Sequence, residues 1–483
     1  MISHPLQVDS IDPSVTVELV GNKAFNVMKM STLGLPVPKG FVIPANVTTF
    51  EVDELYREFE IYGMKFPVSV RSSGAKSMPG MMDTILNVGA NTGSFMLSES
   101  DNLGFALECQ AKLIESLATC VWDAEEKPFK DIEKAANDFY IDDQISMNKK
   151  IIERYFDIWN EQICGLPFPD KVDEQLFVAC CAVKESWWSE RAQQYREAEG
   201  ISHDGGTAVI VQEMVFGNRN DRSGTGVVFS HNPNSGKPEL YGDFLPCAQG
   251  EDVVSGSKVP RSIDSMIQDP RFKLPGKQLK SYIGKLLREF KYIQDVEFTI
   301  DDGKLFILQT RNGKCSPKAS IRSAISMINN GSISILEATE MVLASMPQIE
   351  DSKLRVDEAL LNRLGFGIGV SDGSAVGHLA CSKTYADQMK HEGKPYIFCS
   401  EITSPKDTES MRHSVGVVTS MGGRLSHAAI LARSMSKPTV VGFNKMKVTT
   451  DGFHVEEDYF ANGEVIKIDG STGAVYHVVS QQQ

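Results

Sequence analysis

The most constraining stretch of the sequence is a predicted β-hairpin at residues 294–314, QDVEFTIDDGKLFILQTRNGK. Two strand-like runs flank an Asp-Asp-Gly turn, which is typical of a tight hairpin. Because side chains alternate along a strand, Asp295 and Glu297 share one face of the first strand, and Gln309 and Arg311 share one face of the second. Carboxylate and amide oxygens beside a guanidinium suit a magnesium–triphosphate site. Cross-strand salt bridges are the alternative interpretation.

A second segment, GGRLSHAAILARSMSKPTVVG at residues 422–442, places His427 at the predicted start of a helix. Backbone N–H groups at a helix start favour a nearby anion such as phosphate. The positive end of the helix disfavours imidazolium and keeps the ring neutral and nucleophilic. Gly422 and Gly423 leave room for a phosphoryl group to approach the backbone. These properties suit a phosphoryl-carrying histidine, and a histidine that only caps a packed helix fits the same short pattern.

Two basic residues near the N-terminus are further candidates for phosphate binding. Lys23 lies in a glycine-containing turn before a predicted helix, where its ammonium can act as a mobile point charge. Arg71 ends a predicted strand, and a guanidinium there can bind phosphate oxygens bidentately. A surface lysine and an arginine paired with a nearby acid are the alternatives. The loop that follows, residues 71–95, is rich in Gly, Ser and Met and suggests a lid over a ligand.

Composition narrows the class of protein. The 483 residues suffice for two or three domains. A net charge of −14 argues against nucleic-acid or anionic-membrane partners. Nine scattered cysteines without a C-x-x-C pair argue against zinc or thioredoxin-like chemistry and favour a reducing compartment. Neither a signal peptide nor a bilayer-spanning run is recognisable, so a cytoplasmic protein is predicted.

These motifs together resemble pyruvate phosphate dikinases, in the family of phosphoenolpyruvate-utilising enzymes. The His427 segment, with TSPKD at 403–407 and GEVIKIDGSTGAVY at 463–476, resembles the swivelling phosphohistidine domain. The SMPGMMDT loop, SWWSERAQQYR, residues 211–256 and the hairpin resemble the ATP-grasp half. The resemblance covers most of residues 17–100 and 165–480 and is poor around residues 90–160.

The resemblance implies a multidomain fold of the α/β and α+β classes, in which an ATP-grasp half precedes a small swivelling α/β phosphohistidine domain. The expected domains are the N-terminal ATP-grasp subdomain with a helical insertion (1–200), the C-terminal ATP-grasp subdomain (201–315), a helical linker or hinge (316–352) and the phosphohistidine domain (353–479).

The resemblance also implies roles for individual residues. His427 would attack the β-phosphoryl group of ATP and release AMP, and inorganic phosphate would take the outer phosphoryl as pyrophosphate. By position, the phosphate-binding residues would be Lys23, Arg71 and Arg311, the Mg²⁺ ligands Glu297 and Gln309, and the supporting residues Glu251 at the nucleotide and Asp295 in the hairpin. Arg71 and Arg311 would also act in catalysis. Leu425 departs from the Thr that dikinases usually carry there, so any polar or regulatory role of that Thr is lost.

Full dikinases continue into a C-terminal (β/α) barrel, and this sequence stops after the phosphohistidine domain. The leading hypothesis is therefore an ATP-dependent phosphotransferase that charges His427 and passes the phosphoryl group to an unidentified acceptor, either a small molecule or a separate barrel-bearing protein. A small-molecule kinase of the rifampin phosphotransferase type would need a substrate domain where only about forty residues connect the two parts. A non-catalytic ATP-binding regulatory protein is the third hypothesis, and the retained charged residues argue against it.

Overall fold

A computed structural model describes residues 5–9, 11–76, 78, 80–91, 93–99, 102–136, 143–163, 165–250, 260–344, 361–424 and 426–478. The chain divides into two compact units, Met1–Val215 with Phe306–Gln309, and Phe216–Leu305 with Thr310–Gln483. Sheets and helices occur in both units, so the predicted mixed α/β multidomain character is confirmed. The predicted domain boundaries stay predictions, and residues 345–352 of the expected linker and 353–360 of the expected phosphohistidine domain lie outside the described residues.

The first unit contains an antiparallel sheet in the order β1-β2-β5-β3-β4. Its strands are β1 (Leu6–Gln7), β2 (Gly40–Ile43), β3 (Val68–Ser73), β4 (Thr84–Val88) and β5 (Ala208–Glu213). Its helices are α1 (Val17–Thr32), α2 (Val52–Ile61), α3 (Gly93–Ser98), α4 (Leu103–Val121), α5 (Glu126–Ala136), α6 (Gln144–Gln162), α7 (Val172–Glu185) and α8 (Glu190–Ala198). Helices α1, α4 and α7 pack against the sheet.

The second unit begins with an antiparallel sheet in the order β10-β9-β6-β7-β8. Its strands are β6 (Gly224–Phe229), β7 (Tyr241–Pro246), β8 (Arg261–Ser262), β9 (Gln294–Asp301) and β10 (Lys304–Asn312). The helices of this part are α9 (Ile263–Gln268), α10 (Lys273–Phe290), α11 (Pro317–Asn329) and α12 (Ile335–Ala344). Apolar residues of α11 and α12 share one core cluster with β6 and β7, so the described part of the expected linker is packed onto this sheet. The predicted hairpin is confirmed as β9 and β10.

The rest of the second unit contains an eight-stranded sheet in the order β11-β21-β20-β13-β14-β15-β16-β12 and a small sheet, β17-β18-β19. The strands are β11 (Leu361–Phe366), β12 (Ile368–Ser371), β13 (Ser374–Ala380), β14 (Tyr396–Ser400), β15 (Gly416–Thr419), β16 (Thr439–Val441), β17 (Met446–Thr449), β18 (Gly452–Val455), β19 (Asp458–Ala461), β20 (Val465–Asp469) and β21 (Ala474–Val478). The helices are α13 (Lys383–His391), α14 (Thr408–His413) and α15 (His427–Ser434).

The parallel part of this sheet determines where the functional residues lie. Strands β13, β14, β15 and β16 are parallel neighbours, and their buried apolar runs fit a sheet that is covered on both faces. Helix α15 follows the carboxyl end of β15, and Thr403 follows the carboxyl end of β14. Loops at this end of a parallel sheet are the usual place for ligand sites. Separately, none of the described helices is long and apolar enough to cross a membrane.

Candidate functional site

In the first unit, a kink in α1 brings Lys23 next to the end of β3. Gly21 has φ +74° and ψ 162°, which interrupts the helix. After the kink, the Asn22 N–H donates to the Gly74 carbonyl oxygen at 2.9 Å, and the Ala24 N–H donates to Ser73 Oγ at 2.9 Å. The backbone on both sides of Lys23 is therefore tied to β3 and the residue after it.

Arg71 lies on β3 itself, two residues before Ser73, so the structure brings the elements that carry both predicted phosphate-binding residues together. Its Nη2 donates to Gln212 Oε1 at 2.6 Å, and Gln212 Nε2 donates to the Pro38 carbonyl oxygen at 2.9 Å. Gln212, on β5, thus orients the guanidinium. The local sequence around Arg71 gives no sign of this partner, because the two residues are 141 positions apart.

The predicted lid loop is anchored at several described points. Met78 and Met81 are 5% and 8% exposed and pack with Trp187. Arg191 forms an ion pair with Asp83 and donates through Nε to the Met81 carbonyl oxygen at 3.2 Å. The loop motif SMPGMMDT and the motif SWWSERAQQYR are therefore in direct contact. Lid movement stays a prediction.

In the second unit, the hairpin brings three predicted residues onto one face. Arg311 Nε donates to Asp295 Oδ2 at 2.7 Å, and Arg311 Nη2 lies 3.7 Å from Glu297 Oε1. The alternation of side chains along a strand predicts that Asp295 and Glu297 share one face. Their ion pairs with Arg311 agree with this prediction. Burial raises the pKa of Asp295, with Arg311 opposing, and the two carboxylates raise the pKa of Arg311. The salt-bridge interpretation thus describes the geometry, and Arg311 remains a cation that a phosphate could engage.

The other predicted residues of this region are only partly placed. Gln309 lies on β10, two residues before Arg311, in the short stretch that is grouped with the first unit. Glu251 lies outside the described residues. Within the described part of the chain, no cluster of three or more His, Cys, Asp or Glu residues could hold a metal ion. A divalent cation bound by the described residues would therefore need some ligands other than His, Cys, Asp and Glu side chains.

His427 is the first residue of α15, as the sequence predicted, and Ser426 is the residue at the N-cap. Its Nδ1 is 3.1 Å from Thr403 Oγ1, so one ring nitrogen is engaged by the loop after β14. Ser426 Oγ is buried and has no hydrogen-bond partner among the described residues. Ala428 and Ala429 are fully buried, which fixes the helix start. The imidazole therefore has a defined orientation at a helix N-terminus.

The environment of His427 favours the neutral ring. Burial lowers the pKa of His427 below its ordinary value, and Asp407 partly opposes this shift. A cavity of about 10 Å³ adjoins the ring and is lined by Ile402, Thr403, Thr419, Met421, Gly422 and Ser426. This volume suffices for about one water molecule, so a phosphoryl group would require the cavity to open.

The loop before His427 is docked on β7 within the second unit. The Arg424 backbone N–H donates to Asp243 Oδ2 at 3.0 Å, and Arg424 Nη1 is 3.5 Å from Asp243 Oδ1. Gly423 approaches so closely that a Cβ atom there would be 2.9 Å from Asp243 Oδ2. Arg424 also lies 5.6 Å from the Tyr241 ring centroid. The histidine-bearing segment thus contacts the sheet that carries Asp295 and Arg311.

Comparison with known proteins identifies two families of domain in this chain. The family model for "Pyruvate phosphate dikinase, AMP/ATP-binding domain" matches residues 49–273. The model for "PEP-utilising enzyme, mobile domain" matches residues 393–473. His427 lies within the second match, and the hairpin at residues 294–314 lies between the two matches. The two matches define a protein of the phosphoenolpyruvate-utilising class.

Curated relatives narrow the class. Pyruvate, phosphate dikinase of Clostridium symbiosum is 34% identical over 95% of this chain and 56% of its own length. The enzyme of Rhizobium meliloti (strain 1021) is 34% identical over 94% of the chain and 55% of its own length, and chloroplastic pyruvate, phosphate dikinase 1 of Zea mays is 34% identical over 95% and 51%. The chain belongs to the pyruvate phosphate dikinase family, and it spans about half the length of the curated relatives it matches.

Proposed function

We propose that this chain is a cytoplasmic, ATP-dependent phosphotransferase in which His427 takes the β-phosphoryl group of ATP. The observation that carries the proposal is the imidazole at the start of α15, which burial keeps neutral and Thr403 orients. For Nε2 to be the nucleophile, Nδ1 must carry the proton and donate it to Thr403 Oγ1. The helix N-terminus and the Ser426 hydroxyl would then receive the phosphoryl oxygens.

The proposed reaction has two steps. Nε2 of His427 forms a bond to the β-phosphorus, the bond from that phosphorus to the α,β-bridging oxygen breaks, and AMP leaves with the electron pair. An oxygen of inorganic phosphate then attacks the γ-phosphorus, the bond from that phosphorus to the β,γ-bridging oxygen breaks with its electron pair left on the phosphoryl group of His427, and the pyrophosphate formed is released. Phospho-His427 remains, and an acceptor, either a small molecule or a barrel-bearing partner protein, would take its phosphoryl group. Positioning and charge neutralisation account for most of such catalysis.

The fold assignments and site roles belong to the same proposal. The sheet regions before residue 316 would form the ATP-grasp half, and the region after residue 352 would be the swivelling phosphohistidine domain. Phosphates would be bound by Lys23, Arg71 and Arg311. Arg71 and Arg311 suit this role because carboxamide or carboxylate partners already fix their guanidinium groups. Glu251 would line the nucleotide site, and Asp295 would hold Arg311 until a phosphate engages it.

A magnesium ion fits the residues present if the nucleotide shares in its coordination. Glu297 offers a half-exposed carboxylate and Gln309 an amide oxygen, and Mg²⁺ is usually bound by one or two carboxylates with substrate phosphates and water. When bound, the ion would neutralise charge on the transferring phosphates. Glu297 would have to turn its carboxylate from Arg311 to the ion.

The proposal is tested with ATP labelled at the β or the γ position, added to the purified protein with magnesium, with and without inorganic phosphate. Acid-labile β-label on wild type but not on His427→Ala, together with AMP, is the expected result. Release of ADP without label on the protein would overturn the proposed chemistry. Binding of ATP without turnover would favour a non-catalytic ATP-binding protein.

A further inference from the structure

Arg433, in the helix that begins at His427, is buried although it is charged. The residue is 1% exposed. Its Nη1 donates to the Arg424 carbonyl oxygen at 2.9 Å and to the Val370 carbonyl oxygen at 3.4 Å. Among the described residues, its Nε and Nη2 have no hydrogen-bond partner. A buried N–H donor without a hydrogen-bond partner destabilises the fold. The charged groups around the Nε and Nη2 edge of this guanidinium therefore determine how well Arg433 is tolerated there.

One of these groups is the carboxylate that holds Arg311. The Arg433 guanidinium lies 5.4 Å from the Phe229 ring centroid, and Phe229 pairs in register with Asp295. Arg433 and Asp295 interact electrostatically. Oδ2 of Asp295 accepts from Arg311, whereas Oδ1 has no hydrogen-bond partner among the described residues. A buried carboxylate and a buried guanidinium thus interact electrostatically, while one oxygen of the first and two nitrogens of the second have no hydrogen-bond partner among the described residues.

A second carboxylate extends this arrangement to the His427 loop. Asp243 is 1% exposed, interacts electrostatically with Arg433, and accepts the backbone N–H of Arg424. Charges therefore alternate across the sheet through Glu297, Arg311, Asp295, Arg433, Asp243 and Arg424. The first members of this series contact the proposed nucleotide site, and the last precedes His427 by three residues.

We infer that Arg433 is a positioning residue that couples nucleotide binding at Arg311 to docking of the His427 loop. The inference rests on the proposed function. A phosphate that takes the guanidinium of Arg311 removes the partner of Asp295 Oδ2, and a buried carboxylate without a partner is strongly destabilised. Asp295 then turns to the unpaired N–H groups of Arg433. Since Arg433 also holds the Arg424 carbonyl oxygen, the loop is drawn into its docked position.

The test is the nucleotide dependence of hydrogen exchange at the Arg424 amide, which bonds to Asp243 only when the loop is docked. The probe is α,β-methylene-ATP with magnesium, which cannot transfer its β-phosphoryl group. In wild type we expect the probe to slow this exchange by at least about fivefold, the lower end of couplings between two sites. In Arg433→Met the slowing is lost, while saturation with the probe is still reached.

Arg363→Met is the matched control. Arg363 lies in the same unit, 5.0 Å from the Phe366 ring centroid, but it is solvent-exposed. The control retains the nucleotide-dependent slowing, and exchange in β18 changes in neither variant. A simple loss of stability in Arg433→Met would raise exchange in β18 as well. Preserved slowing at Arg424 in a folded Arg433→Met protein would overturn the inference.

A second variant decides the matter if Arg433→Met does not fold. Asp295→Asn keeps the shape of the side chain but cannot neutralise Arg433, so nucleotide-dependent slowing is again lost when the probe is saturating. Slowing that persists in Asp295→Asn would overturn the inference. Arg433→Lys restores the charge without the planar fork, and partial recovery is expected.

The inference and the proposed function can fail separately. The exchange measurement involves no chemistry at His427. Slowing at Arg424 in a protein that never accepts β-label would refute the proposed reaction and support the coupling. Label on His427 without slowing in wild type would support the reaction and refute the coupling. If the probe does not bind at all, both fail.

Discussion

At the scale of single residues, the proposed nucleophile depends on which nitrogen of His427 carries the proton. The contact between Nδ1 and Thr403 Oγ1 at 3.1 Å selects the tautomer with an unprotonated Nε2 if the threonine oxygen accepts. Thr403 is 6% exposed, so water does not readily replace it. Ser404 and Asp407 hold the same loop, because the Ser404 N–H and hydroxyl both donate to Asp407 Oδ2.

Thr403→Val removes this hydrogen bond and keeps the side-chain shape. We expect the rate of His427 labelling at saturating ATP to fall about 10- to 100-fold, because the ring loses its orientation. Binding of ATP stays unchanged, since Thr403 contacts His427 and is not one of the proposed phosphate-binding residues. Thr403→Ser, which keeps the hydroxyl, is the control and stays near the wild-type rate. Equal rates for the valine and serine variants would show that the contact does not position the imidazole.

The lowered pKa of His427 predicts how labelling depends on pH. Burial disfavours imidazolium, so the ring stays neutral to a lower pH than an unperturbed histidine, whose pKa is about 6.5. Single-turnover labelling at saturating ATP should therefore fall with an apparent pKa below that value as the pH decreases. Asp407 raises the pKa of His427, so Asp407→Asn moves the midpoint further down. A midpoint above that of free histidine, or an upward shift in the variant, would contradict the assignment.

At the scale of elements, the sequence predicts those helices, strands and turns that a local pattern of residues encodes. The β9–β10 hairpin and the helix start at His427 follow from alternation and from glycine placement within twenty or so residues. Contacts that depend on strand order do not follow. Thr403 meets His427 because β14 and β15 are parallel neighbours, and Arg71 meets Gln212 because β3 pairs with β5.

The burial of Arg433 is another feature that the local sequence does not predict. A charged residue near the end of a short helix is expected to be solvent-exposed, with its cation near the helix C-terminus. In the structure it is almost completely buried against Phe229. The local pattern of α15 contains no sign of this, because the covering residues lie about two hundred positions earlier in the sequence.

The kink in α1 is an element that depends on one glycine. A Cβ atom on Gly21 would lie 1.8 Å from the Ser73 carbonyl oxygen, and its φ of +74° is unfavourable for other residues. Gly21→Ala should destabilise the first unit by about 1–3 kcal/mol from the clash, in addition to about 1–2 kcal/mol from the backbone conformation. The displaced helix start should also weaken ATP binding through Lys23.

Gly34→Ala is the control for this variant. Gly34 has a similar φ of +68°, but no atom lies within 4 Å of its added Cβ. It should show only the backbone cost and keep normal ATP binding. Urea unfolding followed by circular dichroism and titration with ATP measure the two effects. Equal destabilisation in both variants would mean that contact between α1 and β3 is unimportant.

At the scale of the whole molecule, phosphoryl transfer would require the His427 loop to reach the sheet that carries Arg311. Within the second unit the loop approaches the sheet tightly at Gly423, where a Cβ atom would lie 2.9 Å from Asp243 Oδ2 and 3.3 Å from Pro260 Cγ. Both atoms belong to the sheet region before residue 316. The first glycine of the pair has a different task, since Gly422 has φ +108° and shapes the turn itself.

Gly423→Ala should therefore hinder docking without disturbing the fold around His427. We expect labelling of His427 to slow about tenfold, which corresponds to about 1.4 kcal/mol and lies within the usual cost of one added methyl in a close contact. Binding of ATP should not change, because the methyl group lies on the histidine-bearing loop. Gly393→Ala is the control, since its Cβ meets nothing within 4 Å and its positive φ costs some stability in the same unit. If Gly393→Ala slows labelling as much as Gly423→Ala, then general stability and not docking limits the rate.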